Sequence, residues 1–487
     1  MKSGNAAPTK PANAARTKPR SDLIVAGLAV TLVAAAAVGA VVFQRLGHPV
    51  HAGAAPLFAH WLPHAGPGTL PALAVAALVV RYGPALALRL RWHALLAAAY
   101  VTALAWTLSL ALVDGWQRGL AGRLTTGPEY LTEVPGVTSI PAMLRGFTGR
   151  ILDHQPDSWT THVAGHPPGA LLIFTALDRL GLSGGAWAGL LCVAAGALTA
   201  VAVPVTVRLL VSDRAARAAA PFVALFPGAI WIGVSADGLF AGVTATGVAC
   251  LAHGLVRRSG PAAFAGGLLL GLGAYLSYGL VLMSAIAAAV LPATLAGRRG
   301  TRSGRLAALA NRRGTWSGQR TAHTDRRAAQ ADRRRARTGR HRAWWAVAGA
   351  AVPVAAFTVA GFAWLTGYHL LIQRYYQGIA AHRPYAYWVW ADLAAVTIAA
   401  GPVAAVIVRR AVAARRGPWL LPLAAAAAIL AADLSGYSKA EVERIWLPFA
   451  VWLMAGAGLL PNPARRRWLI AQAALALAIN HLFLTAW

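Results

Sequence analysis

Residues 23–43 read Leu23-Ile24-Val25-Ala26-Gly27-Leu28-Ala29-Val30-Thr31-Leu32-Val33-Ala34-Ala35-Ala36-Ala37-Val38-Gly39-Ala40-Val41-Val42-Phe43. No charge interrupts the run, and about 20 apolar residues let a helix cross a hydrocarbon core. It is too long for the core of a secretory signal, and no small-residue cleavage site follows, so it reads as an uncleaved first span. Similar runs recur near 69–88, 93–113, 186–210, 219–235, 237–256, 262–277, 279–296, 345–366, 389–409, 418–433, 446–460 and 468–486. Backbone groups in lipid must bond within their own segment, and the alternation of barrel strands is absent. The expected fold is therefore an all-α polytopic membrane protein of about thirteen transmembrane helices.

Composition agrees. The 487 residues are 57% hydrophobic and 12% charged, about half the charged fraction of a soluble domain. A net charge of +30 raises the question of nucleic acid. The Lys and Arg, however, lie mainly in short blocks between apolar runs, as cytoplasmic turns of a membrane protein do. No nucleic-acid partner is expected; the bilayer is. The blocks are Arg89/Arg91, Arg208/Arg214/Arg217, Arg257/Arg258, Arg298/Arg299, Arg409/Arg410/Arg415/Arg416 and Arg465-Arg466-Arg467. Thirteen spans put all of them inside with the N-terminus and leave the C-terminus outside a plasma membrane. Ala170–Leu182 is apolar but short and follows a double proline; counting it as a span would move Arg214 and Arg217 outside, so a re-entrant or surface helix is expected. Cys192 and Cys250 lie in apolar runs with no disulfide or zinc spacing and read as packing residues.

The chain divides into a disordered basic cytoplasmic tail (1–22), two N-terminal transmembrane helices (23–92), a membrane core (93–297) with an external loop at 114–169, an Arg-rich cytoplasmic insert (298–342) and C-terminal transmembrane helices (343–487). The insert has fifteen Arg against two Asp and nothing that could form a core. It reads as a self-repelling loop beside anionic headgroups, or as a docking arm for RNA or protein.

Polar chemistry concentrates at the membrane surface. Glu129, in Gly127-Pro128-Glu129-Tyr130-Leu131-Thr132-Glu133, sits in a proline-stiffened loop, where a carboxylate can serve as a general base, hold a divalent metal or simply be solvated. Asp237 lies between two apolar runs, where an ionised group is costly and marks a site by default; at the surface it could cap the next helix instead. His162 and His166 have the i, i+4 spacing of a metal pair on a helix, but Pro167-Pro168 argues against that helix. His166 is expected at a cavity mouth, as a substrate contact or solvated. Arg444 opens a late span on the face where basic residues are scarce. It is a candidate fork for a lipid-linked phosphate, or an internal partner of Glu441 or Glu443. The loop 367–388, with Arg374, Tyr375, Tyr376 and Tyr385 among its members, suits an interfacial belt or a sugar and its phosphate.

In this order the motifs resemble the polytopic GT-C glycosyltransferases, especially the protein-mannosyltransferase-like and aminoarabinose-transferase-like branches. The resemblance covers roughly residues 93–460 and rests on Pro128-Glu129-Tyr130 after the third span, His166-Pro167-Pro168, the basic turn Arg208–Arg217, and Pro227 leading to Ala236-Asp237-Gly238-Leu239. Gly271-Leu272-Gly273-Ala274-Tyr275-Leu276-Ser277-Tyr278 and Glu443-Arg444-Ile445-Trp446-Leu447-Pro448 complete it. It implies a GT-C-like core that moves a sugar from a polyprenyl-phosphate donor to an envelope glycan, lipid or protein. It implies Glu129 and Asp237 as the catalytic acids and Arg444 as the phosphate contact. Tyr130, Glu133, His166, Tyr278 and Arg374 complete the expected substrate-binding set, and Glu129, Asp237 and His166 are the candidates for a divalent metal. The chain departs from the pattern in two places. Pro128 stands where the family often has a second acid, so that Glu133 or Asp237 must supply it, and Ser277 replaces a lysine. A transporter or flippase of a lipid-linked anion, and a non-catalytic member of the same fold, are the competing classes.

Overall fold

The computed structural model describes residues 19–292, 343–414 and 419–485. Nearly all of the expected basic tail and the whole insert 298–342 lie outside the described residues. Among the described residues, five helices are long and apolar enough to cross a membrane: Arg20–Arg45, Thr69–Arg89, Trp92–Asp114, Gly185–Leu210 and Asp237–Arg257. Two bent pairs bring the number to as many as seven. Ala343–Val359 meets Trp364–Gln377 at 76°, and Tyr385–Ala400 meets Val403–Ala414 at 101°. Four shorter apolar helices accompany them, at Gly260–Leu276, Tyr278–Pro292, Leu420–Ser435 and Leu447–Leu459.

Several of the thirteen apolar runs are not single straight helices. The run 219–235 breaks after the helix Asp213–Ala224 and resumes only as a turn at Ala229–Ile232. Pro227-Gly228 lies in the gap, where proline removes a backbone donor. The run 389–409 turns at Gly401, whose φ of +79° suits glycine, just before Pro402. Hydropathy sees composition and is blind to these bends.

Asp237–Arg257 is the central helix. It packs on Gly260–Leu276, Gly185–Ala197 and Thr199–Leu210. Protein covers 72% of its most apolar window, against 17% for Arg20–Arg45 and Thr69–Arg89, so the first two helices lie at the periphery. Small residues permit the central contacts, as expected where lipid supplies no hydrophobic drive between helices. A Cβ on Gly242 would lie 1.9 Å from the Ala195 carbonyl oxygen, a backbone atom that cannot step aside. Gly242→Val is expected to cost about 3 kcal/mol or more, read as a fall in Tm of the detergent-solubilised protein. An unchanged Tm would mean that this helix pair is not close-packed.

The basic turns gather at one end of the bundle. Arg409 and Arg410 bind Asp22, and Arg410 also donates to the Leu459 carbonyl. Arg217 reaches the Ala87 and Leu90 carbonyls, and Arg465 reaches Gly458 and Leu460. Loops and short turns fill the opposite end. The segment after the third helix runs as brief helical turns rather than open coil. Gly169–Arg179 belongs to this end: Arg179 bonds the carbonyls of Val137 and Thr138, and Gly169 touches the backbone of Tyr275.

The all-α expectation needs one correction. Ala59–Trp61 pairs antiparallel with Phe483–Thr485. This pairing anchors a strap, residues 46–68, that crosses the loop end. Val50 accepts from Trp388 Nε1, and the Phe58 amide donates to Glu443 at 2.9 Å. Farther along, His64 Nε2 meets Asp114 at 2.7 Å. The two N-terminal helices are thereby tied into the membrane core.

Candidate functional site

The loop after the third helix delivers Glu129 through tight local bonding. Its amide donates to Thr126, and its carbonyl accepts from Thr132 Oγ1 at 2.6 Å. The next polar stretch is pinned to the same place, since the His162 amide donates to the Pro128 carbonyl at 2.9 Å. That main-chain bond sets the imidazole beside the carboxylate, and His162 Nδ1 lies 2.8 Å from Glu129 Oε1. Tyr130 stacks on the His162 ring at 6.2 Å. Burial, then Glu129 and Asp237, push the Tyr130 phenol well above its ordinary range, so it stays protonated.

The break at Pro227-Gly228 and the turn after it bring Asp237 to the first position of the central helix, where the dipole favours an anion. Its carboxylate does not cap that helix; it binds Arg444 Nη1 at 2.9 Å. Arg444 lies in the short turn Val442–Ile445. Its Nη2 lies 3.0 Å from His162 Nε2 and 2.9 Å from Glu441 Oε2. Arg383 continues the chain, with Nη1 and Nη2 each 3.2 Å from Glu441 Oε1. Burial alone would raise Glu441, but Arg444 and Arg383 outweigh it and hold the carboxyl below its ordinary value. Glu129, His162, Asp237, Arg383, Glu443 and Arg444 are all buried.

The bonding assigns the imidazole tautomer. A guanidinium only donates, so His162 Nε2 accepts and the ring proton sits on Nδ1, directed at Glu129 Oε1. Glu129 Oε2 is buried and, among the described residues, has no hydrogen-bond partner. One carboxylate oxygen is therefore fixed while the other keeps its acceptor capacity.

The structure brings four of the expected residues together: Glu129, Asp237 and Arg444 in the chain of contacts, and Tyr130 against its histidine. The others stand apart. His166 Nδ1 meets the His162 carbonyl at 2.8 Å, and its ring lies between Tyr130 and Phe240. Glu133 accepts from the Thr160 amide and pairs with Arg150, which ties the loop to itself. Arg374 binds Asp153, and Tyr278 packs on Trp364 and Tyr368. Sequence reading did not single out Arg383, weighed His162 only as half of a metal pair, and weighed Glu441 only as a counter-ion. The signal for His162 was its place in the same polar loop as Glu129. Arg444 stands between the two catalytic candidates, and no group of three His, Cys, Asp or Glu among the described residues could hold a metal ion. The donor set expected for a divalent ion is thus not assembled.

Burial pulls His166 down to about 3, although a bond to the His162 carbonyl opposes the shift; the nearby Arg444 charge adds to the lowering. The unfolded chain then binds more protons than the folded one between about pH 6.5 and pH 3. Stability is complete above the unfolded value and is lost as pH falls through that window. His166→Phe is expected to flatten the acid limb of a Tm-against-pH curve; an unchanged limb would remove this role.

Two clefts open nearby. One of about 260 Å³ is lined by Leu131, Pro135, Phe174, Leu177 and Ser183, and one of about 210 Å³ by Ser139, Met143, Arg150 and Trp159. Neither reaches the charged chain. Phe174, which packs on Tyr130, stands between the larger cleft and His162.

Comparison with known proteins adds little. No family model matches the chain, and no curated protein does. The crystal structure of ArnT from Cupriavidus metallidurans in the apo state is similar over 74% of this chain and 77% of that one, with 17% identity and a TM-score of 0.26, a likeness too slight to carry an argument.

Proposed function

We propose that the chain is an integral-membrane glycosyltransferase of the GT-C type that moves a sugar from a polyprenyl-phosphate donor to a cell-envelope acceptor at the outer face. The observation that carries this reading is convergence. Glu129, Asp237 and Arg444, which the order of motifs singled out, share one chain of contacts no longer than 3.0 Å, bridged by His162. One reacting centre can span such an arrangement.

In the proposed reaction Glu129 Oε2 accepts the proton of the acceptor hydroxyl. The acceptor oxygen attacks the anomeric carbon, the carbon–oxygen bond to phosphate breaks, and polyprenyl phosphate leaves with that electron pair. His162 holds Glu129 Oε1 and sets the direction of Oε2. Asp237 and Arg444 hold His162 in its accepting tautomer, the role of an orienting partner. Arg444 was expected to grip the leaving phosphate, but its terminal nitrogens are engaged by Asp237, His162 and Glu441. No step is routed through a metal. Substrate would approach past Phe174 and Tyr130, the two rings between the larger cleft and the base.

Purified full-length protein, given polyprenyl-phosphate sugars and an envelope extract, is expected to release polyprenyl phosphate. No release with any donor would overturn the reading. The bent helix pairs and the closed chain of ion pairs favour a second one, movement of a lipid-linked anion without bond breaking. Transfer of labelled lipid across a vesicle bilayer with the sugar still attached would select it.

A further inference from the structure

The larger cleft faces its contents almost entirely with acceptors. Its apolar wall, which includes Leu131, Phe174 and Leu177, carries the hydroxyls of Thr125, Thr132 and Ser183. Thr125 Oγ1 already donates to the Gly122 carbonyl at 2.9 Å, and Thr132 Oγ1 to the Glu129 carbonyl at 2.6 Å. A hydroxyl that has spent its proton keeps only lone pairs to offer. Asp178 is the only charged side chain on the wall, and an ionised carboxylate also only accepts. No Lys, Arg or His lines the cleft. A phosphate or carboxylate would find no counter-ion there, whereas a ligand rich in hydroxyl donors would find several partners. The volume of about 260 Å³ lies just under the usual range for small-molecule sites, about 300–1,000 Å³, so one ring-sized unit fits and a whole lipid does not.

Both walls are fixed. At the end of the helix Gly169–Arg179, the Gly181 amide donates to the Asp178 carbonyl at 2.9 Å and the Leu182 amide to the Leu177 carbonyl at 3.1 Å. Gly181 and Gly184 take φ values of +79° and +89°, which suit glycine. Gly185 then opens the helix Gly185–Leu210 hard against the Ala121 carbonyl oxygen, which a Cβ would meet at 2.0 Å. Asp178 and Ser183 thus flank a turn with little freedom. The opposite wall is continuous with the base, since Leu131 and Thr132 follow Glu129 within the short turn Tyr130–Thr132. Phe174 packs on Tyr130 at 5.4 Å, and Tyr130 stacks on His162. A ligand in the cleft would lie one turn of chain from Glu129, away from the arginines.

We propose that this cleft binds an uncharged sugar ring of the acceptor, the neighbour of the ring that reacts. Its hydroxyls donate to Asp178 and to the two threonine oxygens, and its C–H face lies on Leu131 and Leu177. The next unit carries the reacting hydroxyl past Phe174 and Tyr130 to Glu129. Holding a non-reacting unit supplies binding energy that orients the reacting one. This rests on the transferase reading and names its acceptor class: an oligosaccharide without an anionic group on the bound ring. Binding in the cleft can be tested without turnover.

The test is saturation-transfer NMR on the full chain in lipid nanodiscs, with methyl glycosides of neutral hexoses as probes and a methyl glucuronide as the anionic counterpart. At least one neutral glycoside is expected to bind, and the glucuronide is not. Asp178→Asn is expected to weaken the neutral probe about ten-fold, as loss of a charged acceptor does. Asp178→Lys should let the glucuronide in. Ser183→Trp fills the cleft and should remove binding, while Thr138→Trp, at an exposed position beside the smaller cleft, is the size-matched control and should leave it. A wild type that binds no neutral glycoside, or binds the glucuronide equally well, would overturn the proposal. So would binding indifferent to Asp178→Asn and Ser183→Trp. Should Ser183→Trp fail to fold, the Asp178 variants decide alone, since that side chain is exposed. Given donor and envelope extract, Ser183→Trp is expected to lower the ratio of transferred to free sugar about ten-fold. Glycoside binding with this pattern, but no donor cleaved by the wild type, would leave the cleft standing and remove the transferase. Donor cleavage without glycoside binding would do the reverse.

Discussion

Replacing Arg444 with methionine is expected to destabilise the protein by about 3–5 kcal/mol. The side chain is buried and joins Asp237, Glu441 and His162. Methionine keeps much of the volume but leaves Asp237 as a buried charge without its cation. Glu441 would retain only Arg383, through the longer bonds. The penalty is mainly that of stranding anions; the net worth of the pairs is much smaller, because desolvation offsets most of their attraction. The double variant Arg444→Met with Asp237→Leu should therefore be less damaged than the sum of its parts. Arg444→Lys should recover little, since an ammonium cannot present the fork that meets three partners. The measurement is Tm of the purified protein in detergent, supported by a double-mutant cycle. An Arg444→Met protein as stable as wild type would show that the three partners are not coupled through it.

Glu129→Gln is expected to lower the turnover of polyprenyl-phosphate sugar by about 10²–10⁴-fold, the usual contribution of a general base. The amide keeps the shape, and its oxygen can still accept from His162 Nδ1, so Tm should move far less than turnover does. The amide cannot take the acceptor's proton, which is the step assigned to Oε2. His162→Asn should cost less and act differently: Glu129 remains a base but loses the bond that fixes Oε1, so the loss should depend on acceptor orientation and fall mainly on kcat. A Glu129→Gln enzyme that works at the wild-type rate would remove Glu129 from the chemistry and leave it as a support for His162.

Much of this architecture was legible in the chain. Leu23–Phe43 and its repeats announce helices in lipid, and the basic blocks announce which turns share a face. The structure places Asp22 with Arg409 and Arg410, and Arg217 with the end of Thr69–Arg89. What hydropathy could not show was where an apolar run bends. Gly401 and Pro227-Gly228 interrupt helices whose composition continues smoothly across them, so one apolar run need not be one straight helix.

The site was half legible, for a similar reason. Asp237 and Arg444 were conspicuous because an ionised group near lipid is costly and needs an explanation. The same argument requires that each have a partner, and it says nothing about which. His162 was overshadowed by the double proline beside His166. Arg383 sat in an aromatic loop whose tyrosines invite a belt or a sugar, and only the fold turns it toward Glu441.

Alone, the sequence determined that this is a helical membrane protein, which loops carry its charge, and that a few acids and one arginine needed explaining. These follow from bilayer thickness and from the cost of an unpaired charge, both local properties of a chain. Tertiary structure decided the pairing. Arg444 finds Asp237 from 207 positions away and His162 from 282. Such contacts depend on which helices bend and which glycines let them close, and no local pattern encodes that. It decided as well that Arg444 holds Asp237, His162 and Glu441 together, where the chain had suggested a free arm for phosphate.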